Sequence, residues 1–196
     1  MDKKNSKGIG IWIIILMVLN VFISFSMVLV VGSKIDELES YDENIGDEIN
    51  YAYSYEYDFS IEVLNGFSEL PKGTLNQNAS LELVNRYKNT YFMILKENKT
   101  DFVEDYTYYN YKNFTIDDIY EQYGVSNLDF ETITYSNGFM EKTSFILELN
   151  SIRYGMNVYI LETENLYARC YTWTVYSNKD YLNNINKMAM SFKEIV

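Results

Sequence analysis

The sequence contains no histidine and a single cysteine, Cys170, among its 196 residues. Without an imidazole, the serine and cysteine nucleophile systems that rely on a histidine base are excluded. One cysteine cannot close an intramolecular disulfide, and it cannot build the usual Cys/His zinc site. We therefore predict that Cys170 is a small buried side chain within a strand.

Basic residues are also scarce. The chain has 16 Lys and Arg against 28 Asp and Glu, which gives a formal net charge of −12. Because an acidic chain repels a phosphate backbone, the composition argues against nucleic-acid binding. The aromatic and aliphatic content is high enough for a packed core, so the composition indicates a folded domain.

Motifs for catalysis and cofactor binding are missing as well. The sequence has no phosphate-binding Gly-rich loop ending in Lys-Ser or Lys-Thr, and no dinucleotide fingerprint. The acidic run around Asp42 and Asp47 lacks the ligand spacing of a helix-loop-helix calcium site. We expect no cofactor, no metal and no catalytic residue. A carboxylate-dependent hydrolase stays open as an alternative, because a glycoside hydrolase needs only two of the many acidic side chains.

One long apolar segment without charges occupies residues 8–32, GIGIWIIILMVLNVFISFSMVLVVG. As a helix it would extend over about 35 Å, enough to cross the hydrocarbon core of a bilayer. Lys3, Lys4 and Lys7 precede it, which predicts a cytoplasmic tail at residues 1–7 and an extracytoplasmic remainder. We predict an uncleaved single-pass anchor in the cell membrane, with a cleaved signal peptide as the alternative.

Two further parts follow this segment. Residues 33–54 are acidic and nearly free of large apolar side chains, which predicts a solvated stalk. Residues 55–196 are predicted to form an extracytoplasmic domain. The stretch YAYSYEYDFSIEV, Tyr51 to Val63, begins at the end of the stalk and continues into the domain. It alternates apolar and polar side chains with the period of a half-buried strand, which places Phe59 and Ile61 on the core face.

Turn signals place the remaining strands. Strands are predicted from Leu81 and over Tyr91–Leu95, separated by a turn at 86–89. The segment from Tyr91 to Leu95 is apolar without alternation, which predicts burial on both faces. Three later turns, at Asn137-Gly138, Asn150-Ser151 and Glu164-Asn165, predict an antiparallel meander.

Two helices complete the predicted domain. Thr115 to Asp118 resembles a capping box, which predicts a helix that ends at Gly124. Ser177 to Asp180 resembles a second capping box. The apolar positions that follow it recur at spacings of three and four and predict a helix lying on the sheet; they are Leu182, Ile185, Ala189 and Phe192. The predicted fold class is α+β, an antiparallel sheet flanked by helices.

The exported part resembles the PsbP-like α/β/α domains of membrane-tethered proteins from low-GC Gram-positive bacteria. The matching pieces, in their order, are YDFSIEVLNGFSELP, ASLELVNRYKNTYFMIL, FTIDDIYEQYG and YTWTVYSNKDYLNNINKMAMSFKEI. The resemblance implies a central antiparallel sheet flanked by helices. It matches no catalytic motif, so it implies no activity.

Tyrosine is abundant, and two clusters are candidate partner-binding residues. A tyrosine combines a large contact area with a polar tip, so exposed rows suit protein partners or sugars. The first cluster is interpreted as a backward extension of the first strand, and the second, YTYYNY, as part of a connection. Both clusters have burial in the core as an alternative. The residues are Tyr51, Tyr53, Tyr55, Tyr106, Tyr108, Tyr109 and Tyr111.

The sequence therefore predicts a membrane-anchored, non-enzymatic interaction domain that binds an unknown envelope protein. The alternatives are a cell-wall or glycan-binding module that uses the Tyr clusters, and the carboxylate-dependent hydrolase.

Overall fold

The computed structural model describes residues 49–53, 58–135 and 138–195, with the backbone alone described for 49–53. This part of the chain belongs to one compact unit, Ile45–Val196. It contains ten strands and two α-helices. The strands are β1 (Ile49–Tyr53), β2 (Phe59–Leu64), β3 (Ser68–Glu69), β4 (Leu81–Asn85), β5 (Thr90–Asn98), β6 (Phe130–Tyr135), β7 (Gly138–Leu149), β8 (Ile152–Glu162), β9 (Leu166–Val175) and β10 (Lys193–Glu194); the helices are α1 (Tyr108–Tyr123) and α2 (Leu182–Met190).

The strands form two sheets. The larger has the order β3-β4-β5-β9-β8-β7-β6, and the smaller has the order β1-β2-β10. All strand pairs in the described part of the chain are antiparallel. The fold is thus the predicted mixture of helices with antiparallel sheet. Helix α1 packs on one face of the seven-stranded sheet, and α2 packs with β2 on the other.

Strand β5 confirms the prediction of burial on both faces. Phe92 and Ile94 point into the core cluster shared with α2 and β2. Met93 and Leu95 point the opposite way, into the cluster that contains Ile119 of α1. Because successive side chains of a strand alternate between faces, a continuous apolar run is required wherever both faces are covered.

Strand β2 confirms the alternating pattern in its own segment. Phe59, Ile61 and Val63 are buried, and the residues between them are partly exposed. Phe59 stacks on Phe192, with ring centroids 5.1 Å apart. These contacts join the small sheet to the α2 side of the core.

Residues 49–53 do not extend β2, so the interpretation of Tyr51–Val63 as one strand was wrong. Ile49–Tyr53 instead forms the separate strand β1, in which Tyr51 lies opposite Glu62 and Tyr53 opposite Ser60. Alternation alone cannot distinguish one long strand from two paired strands. The pairing satisfies backbone groups on an edge of β2 that would otherwise stay open.

Helix α1 begins eight residues earlier than predicted, with its N-cap at Thr107 instead of Thr115 and its first helical residue at Tyr108. Its N-cap is Thr107, whose N–H donates to Asn110 Oδ1 at 2.9 Å, while the Asn110 N–H donates to Thr107 Oγ1 at 3.4 Å. Thr115, the predicted cap, is buried in mid-helix and donates its hydroxyl to the Tyr111 carbonyl at 2.9 Å. The predicted end at Gly124 is confirmed, with the left-handed φ of 68° that favours glycine.

Helix α2 has the predicted apolar stripe but not the predicted cap. Tyr176–Tyr181 forms a 3₁₀ turn, and α2 then starts at Leu182 without a side-chain cap hydrogen bond. Ile185 and Ala189 are fully buried, and Phe192 is buried just beyond the helix. Packing against the sheet therefore accounts for this short helix better than capping does.

The predicted meander is confirmed. Asn150 and Ser151 have left-handed φ values of 50° and 64°, as a tight hairpin turn requires. Tyr135 pairs with Gly138 across the β6–β7 hairpin. Cys170 is fully buried in β9 as predicted, and burial raises the pKa of its thiol.

The described residues contain no helix that is both long and apolar enough to span a bilayer. The predicted anchor at 8–32 lies outside the described residues, as does the predicted stalk at 33–54 apart from Ile49–Tyr53, which forms β1. Both stay predictions.

Candidate interaction surfaces

The sequence YTYYNY forms the start of α1 rather than a connection. Tyr106 precedes the helix, and Tyr108, Tyr109 and Tyr111 lie in its first turn. Tyr111 is 0% exposed and Tyr109 is 68% exposed, while Tyr106 and Tyr108 are half-buried. The predicted cluster therefore separates into residues that hold the fold together and one that faces solvent.

The buried part of this cluster is an aromatic layer between α1 and the sheet. The Tyr111 ring stacks on Tyr167 of β9 at 4.8 Å between centroids, and Phe102 stacks on Tyr106 at 4.3 Å. The Tyr167 hydroxyl donates to the Tyr106 carbonyl at 3.2 Å, and the Tyr108 hydroxyl donates to the Ile160 carbonyl at 3.1 Å. The Tyr108 and Tyr167 hydroxyls therefore have their hydrogen-bond partners within the domain.

Beneath this layer, Arg169 of β9 connects α1 to the sheet. It is 5% exposed, and its guanidinium donates to Glu97 at 2.7 Å and to Asp118 of α1 at 3.2 Å. The Tyr111 hydroxyl donates to Glu97, and the Tyr171 hydroxyl donates to Asp118 at 3.4 Å. A buried charge is tolerated where it has partners, and here two carboxylates accept from the terminal nitrogens of Arg169. The buried Nε of Arg169 has no hydrogen-bond partner among the described residues.

Burial and neighbouring charges have opposing effects on the pKa values of Arg169 and Tyr111. Burial alone would lower the pKa of Arg169, but the neighbouring tyrosines and carboxylates together raise it, so the guanidinium stays charged. Burial also raises the pKa of Tyr111 well above its ordinary value, against the opposing charge of Arg169. The hydroxyl of Tyr111 consequently stays protonated and serves as a donor to Glu97.

Glu97 and Asp118 are the nearest approach to a carboxylate pair at this site. Both accept hydrogen bonds from the same guanidinium, and each also accepts one from a tyrosine. This arrangement fixes the position of α1 on the sheet. Among the described residues, no three His, Cys, Asp or Glu side chains converge as metal ligands would.

The outward face of α1 differs from its buried face. Tyr109 and Tyr120 are 68% and 58% exposed, and they lie on one side of the helix together with Asn113 and Ile116. We call these four residues the outer stripe of α1. Large exposed aromatic side chains on a well-anchored helix are typical of protein-binding surfaces.

The first tyrosine cluster falls partly outside the described side chains. Tyr51 and Tyr53 belong to β1, where the backbone alone is described, and Tyr55 lies outside the described residues. The predicted role of this cluster in binding therefore stays a prediction.

Two features were missed by the sequence analysis. Arg169 stands within the apolar run LYARCYTWTV, and an arginine in such a run needs a buried partner, which is a usable signal. Tyr120 gave no such signal, because its exposure depends on which face of α1 meets the sheet.

Solved structures of similar fold come from distant proteins. Cyanobacterial PsbP (CyanoP) from Synechocystis matches with a TM-score of 0.57 and 8% identity, over 80% of this chain and 98% of that chain. The Ran-binding protein Mog1p of Saccharomyces cerevisiae matches with a TM-score of 0.55 and 10% identity, over 76% of this chain and 96% of that chain. A Bacteroides thetaiotaomicron protein matches with a TM-score of 0.51 and 10% identity, over 71% of this chain and 46% of that chain.

These likenesses show that the fold is PsbP-like, and at such low identity they show the fold alone. No protein-family model matches the chain. No curated protein sequence matches it either.

Proposed function

We propose that this protein is a non-catalytic interaction domain, tethered outside the cell membrane of a Gram-positive bacterium, that binds a protein partner at the envelope. The observation that carries the proposal is the outer stripe of α1, where Tyr109 and Tyr120 are exposed on the same side of a helix anchored by Arg169, about three turns apart. Tyrosine is among the residues that contribute most at protein interfaces.

Two further considerations support this proposal. The apolar segment at 8–32, preceded by three lysines, has the length and charge pattern of an anchor with an external domain. Mog1p, a protein of similar fold, is a Ran-binding protein, so this architecture is compatible with protein binding. The likeness to Mog1p is an analogy of fold, so the function has to be argued from the site itself.

Site-specific crosslinking tests the proposed surface. A photoreactive amino acid is placed at Tyr109 or Tyr120 in the full-length chain, and cells are irradiated with the membrane intact. We expect the same discrete protein adduct from both positions. Replacing the other stripe tyrosine with serine is expected to reduce the adduct about tenfold, because a central aromatic contact is lost.

The matched control is the same photoreactive residue at Ile146, which is exposed on the face of the sheet opposite to α1. Equal adducts from Ile146 and from the outer stripe, or no protein adduct from the stripe, would refute the proposed surface. An adduct with cell-wall glycan instead of protein would favour the glycan-binding alternative, with Tyr109 and Tyr120 as its contacts.

Protease accessibility tests the proposed location separately. Protease added to intact cells is expected to digest the domain at 55–196 and to leave residues 1–7 protected. Recovery of the full-length chain in the soluble cytosolic fraction would contradict the membrane tether without bearing on the binding surface.

A further inference from the structure

Four basic residues gather at one end of the seven-stranded sheet. Arg86 and Lys88 lie in the β4–β5 turn, Arg153 near the start of β8, and Lys179 in the 3₁₀ turn after β9. The side-chain amide of Asn178 donates to the Lys88 carbonyl at 3.2 Å, which brings these segments together. We call these four residues the basic end.

The four cations of the basic end lack acidic partners in the part of the chain that the structure describes. Within the described residues, Arg86, Lys88, Arg153 and Lys179 make no ion pair within 4.0 Å. All four are exposed. In a chain of net charge −12, a group of unpaired cations is not explained by overall composition. Unpaired, solvated cations contribute little to folding, so they are free to meet an anionic partner.

Tyr176 lies between two of these cations. The Arg153 guanidinium carbon is 4.3 Å from the Tyr176 ring centroid, and Lys179 Nζ is 4.7 Å from it. The Lys179 ammonium also donates to the Tyr176 hydroxyl at 3.2 Å, and this hydrogen bond is the main reason that the pKa of Tyr176 is lowered. The ring therefore holds two positive groups close together in spite of their mutual repulsion.

Acidic residues near the basic end do not neutralise it. Glu148 lies opposite Arg153 in the β7–β8 register, and Asp180 follows Lys179 in the chain. Neither of these two carboxylates forms an ion pair in the described part of the chain. Four cations against two carboxylates leave this end positive.

An aromatic pair extends the same end along the other face of the sheet. Tyr91 and Trp173 are half-buried neighbours on β5 and β9, with ring centroids 5.2 Å apart and planes within 14°. In this stacked pair each ring covers one face of the other. Ring edges carry positive partial charge, so this pair also suits a negatively charged neighbour.

We propose that the basic end is a docking site for an acidic peptide segment of a protein partner. Arginine guanidinium groups can bind carboxylates in bidentate fashion, and lysines add point charges without demanding fixed geometry. A peptide with several Asp or Glu residues matches four cations spread over adjacent turns. This surface is separate from the outer stripe of α1, and the inference does not depend on the function proposed for that stripe.

Binding of an oligoglutamate peptide to the purified full-length chain tests the inference. The double variant Arg153→Glu with Lys179→Glu is expected to weaken the dissociation constant at least about tenfold, since attraction becomes repulsion at two positions. Added salt is expected to weaken binding to the wild-type chain and to have less effect on the variant. Tyr109→Ser is expected to leave oligoglutamate binding unchanged.

The matched control is Lys72→Glu with Lys193→Glu, which changes the net charge equally at exposed, unpaired lysines away from the basic end. Equal weakening in the control would overturn the inference, because it would show a response to net charge alone. If the reversal variant does not fold, Arg153→Gln with Lys179→Gln takes its place, and unchanged oligoglutamate binding in that variant also overturns the inference.

Two competitors distinguish the class of ligand. Polygalacturonate provides carboxylates on a sugar backbone, and phosphatidylglycerol in lipid nanodiscs provides an anionic membrane surface. Stronger binding of either one than of oligoglutamate, at equal charge concentration, would overturn the peptide assignment in favour of a glycan or a lipid.

Discussion

The two ends of the seven-stranded sheet hold their positive charges in different ways. At one end, which we call the ion-paired end, five cations each lie within 2.5–3.2 Å of a carboxylate. They are Lys96, Lys99, Lys112, Lys142 and Arg169. At the basic end, four exposed cations have no such partner among the described residues.

Burial explains the difference. Arg169 is 5% exposed, and a charge removed from water must find carboxylates and hydrogen bonds inside the protein. Arg153 and Lys179 are exposed and stay hydrated, so they do not need carboxylate partners inside the protein. Two tyrosines show the same contrast between buried and solvated groups: burial raises the pKa of Tyr111, and the hydrogen bond from Lys179 lowers that of Tyr176. The Arg169 ion pairs at the first end join α1 to the sheet, and the charges at the second end are left for a partner.

Alkaline pH is expected to produce the largest loss of stability. Burial raises the folded-state pKa of Tyr108, Tyr111, Tyr159 and Tyr171 above the ordinary value of about 10. Above about pH 10 the unfolded chain releases protons that the folded chain keeps, so unfolding becomes more favourable as the pH rises. Above about pH 10, each such tyrosine lowers the free energy of unfolding by about 1.4 kcal/mol per pH unit. Below about pH 10, the full stabilisation from each buried tyrosine is retained.

Urea unfolding at a series of pH values, from about 9 to about 11, measures this loss. Tyrosinate absorbance is a parallel probe, in which Tyr176→Phe should remove an early-titrating group and leave the later, unfolding-linked rise in place. A urea midpoint that stays constant across this pH range would contradict the predicted neutrality of the buried tyrosines.

Arg169→Met is expected to cost about 3 kcal/mol in the free energy of unfolding. The substitution keeps an apolar side chain of similar length but leaves Glu97 and Asp118 without their shared partner. The measurement is the urea midpoint at neutral pH. The matched control at the basic end is Arg86→Met, expected to change stability by less than about 0.5 kcal/mol. Equal effects of the two substitutions would remove the distinction between the ends.

Tyr111→Phe is expected to cost about 1.5 kcal/mol, because Glu97 loses a hydrogen bond to a charged acceptor while the ring can still stack on Tyr167. Tyr109→Phe, only two residues away on the solvent side of the same helix, is expected to stay within about 0.5 kcal/mol of wild type. Thermal and urea unfolding of both variants decide between these expectations. If Tyr111→Phe leaves the free energy of unfolding unchanged, the ring rather than the hydroxyl provides the stabilisation.

The features that the sequence predicted well are local ones. The burial of Phe59 and Ile61 follows from a period of two within a single strand. The hairpin at Asn150-Ser151 follows from turn residues that adopt left-handed φ at low cost. Burial of β5 on both faces follows from an apolar run without alternation. Each of these depends on side chains within a few residues of one another.

The features that were missed depend on contacts between distant segments. Arg169 meets Glu97 from 72 residues earlier and Asp118 from 51 residues earlier, and no local pattern reports those distances. The early start of α1 was hidden because Asn110, rather than the usual Glu or Gln, completes the capping box with Thr107. Misplacing that start also hid which tyrosines face the sheet, since burial of Tyr111 depends on the helical phase.

The smallest effect is expected where the basic end is neutralised. Arg153→Met with Lys179→Met should change the free energy of unfolding by less than about 0.5 kcal/mol, because neither cation has a carboxylate partner and their loss relieves repulsion around Tyr176. The same double variant should lose affinity for an acidic peptide, which separates binding from folding in one protein. Urea unfolding and peptide titration on the same sample provide both readings. A destabilisation of more than about 1 kcal/mol would mean that these cations support the fold after all, and the contrast between the two ends would then be one of degree.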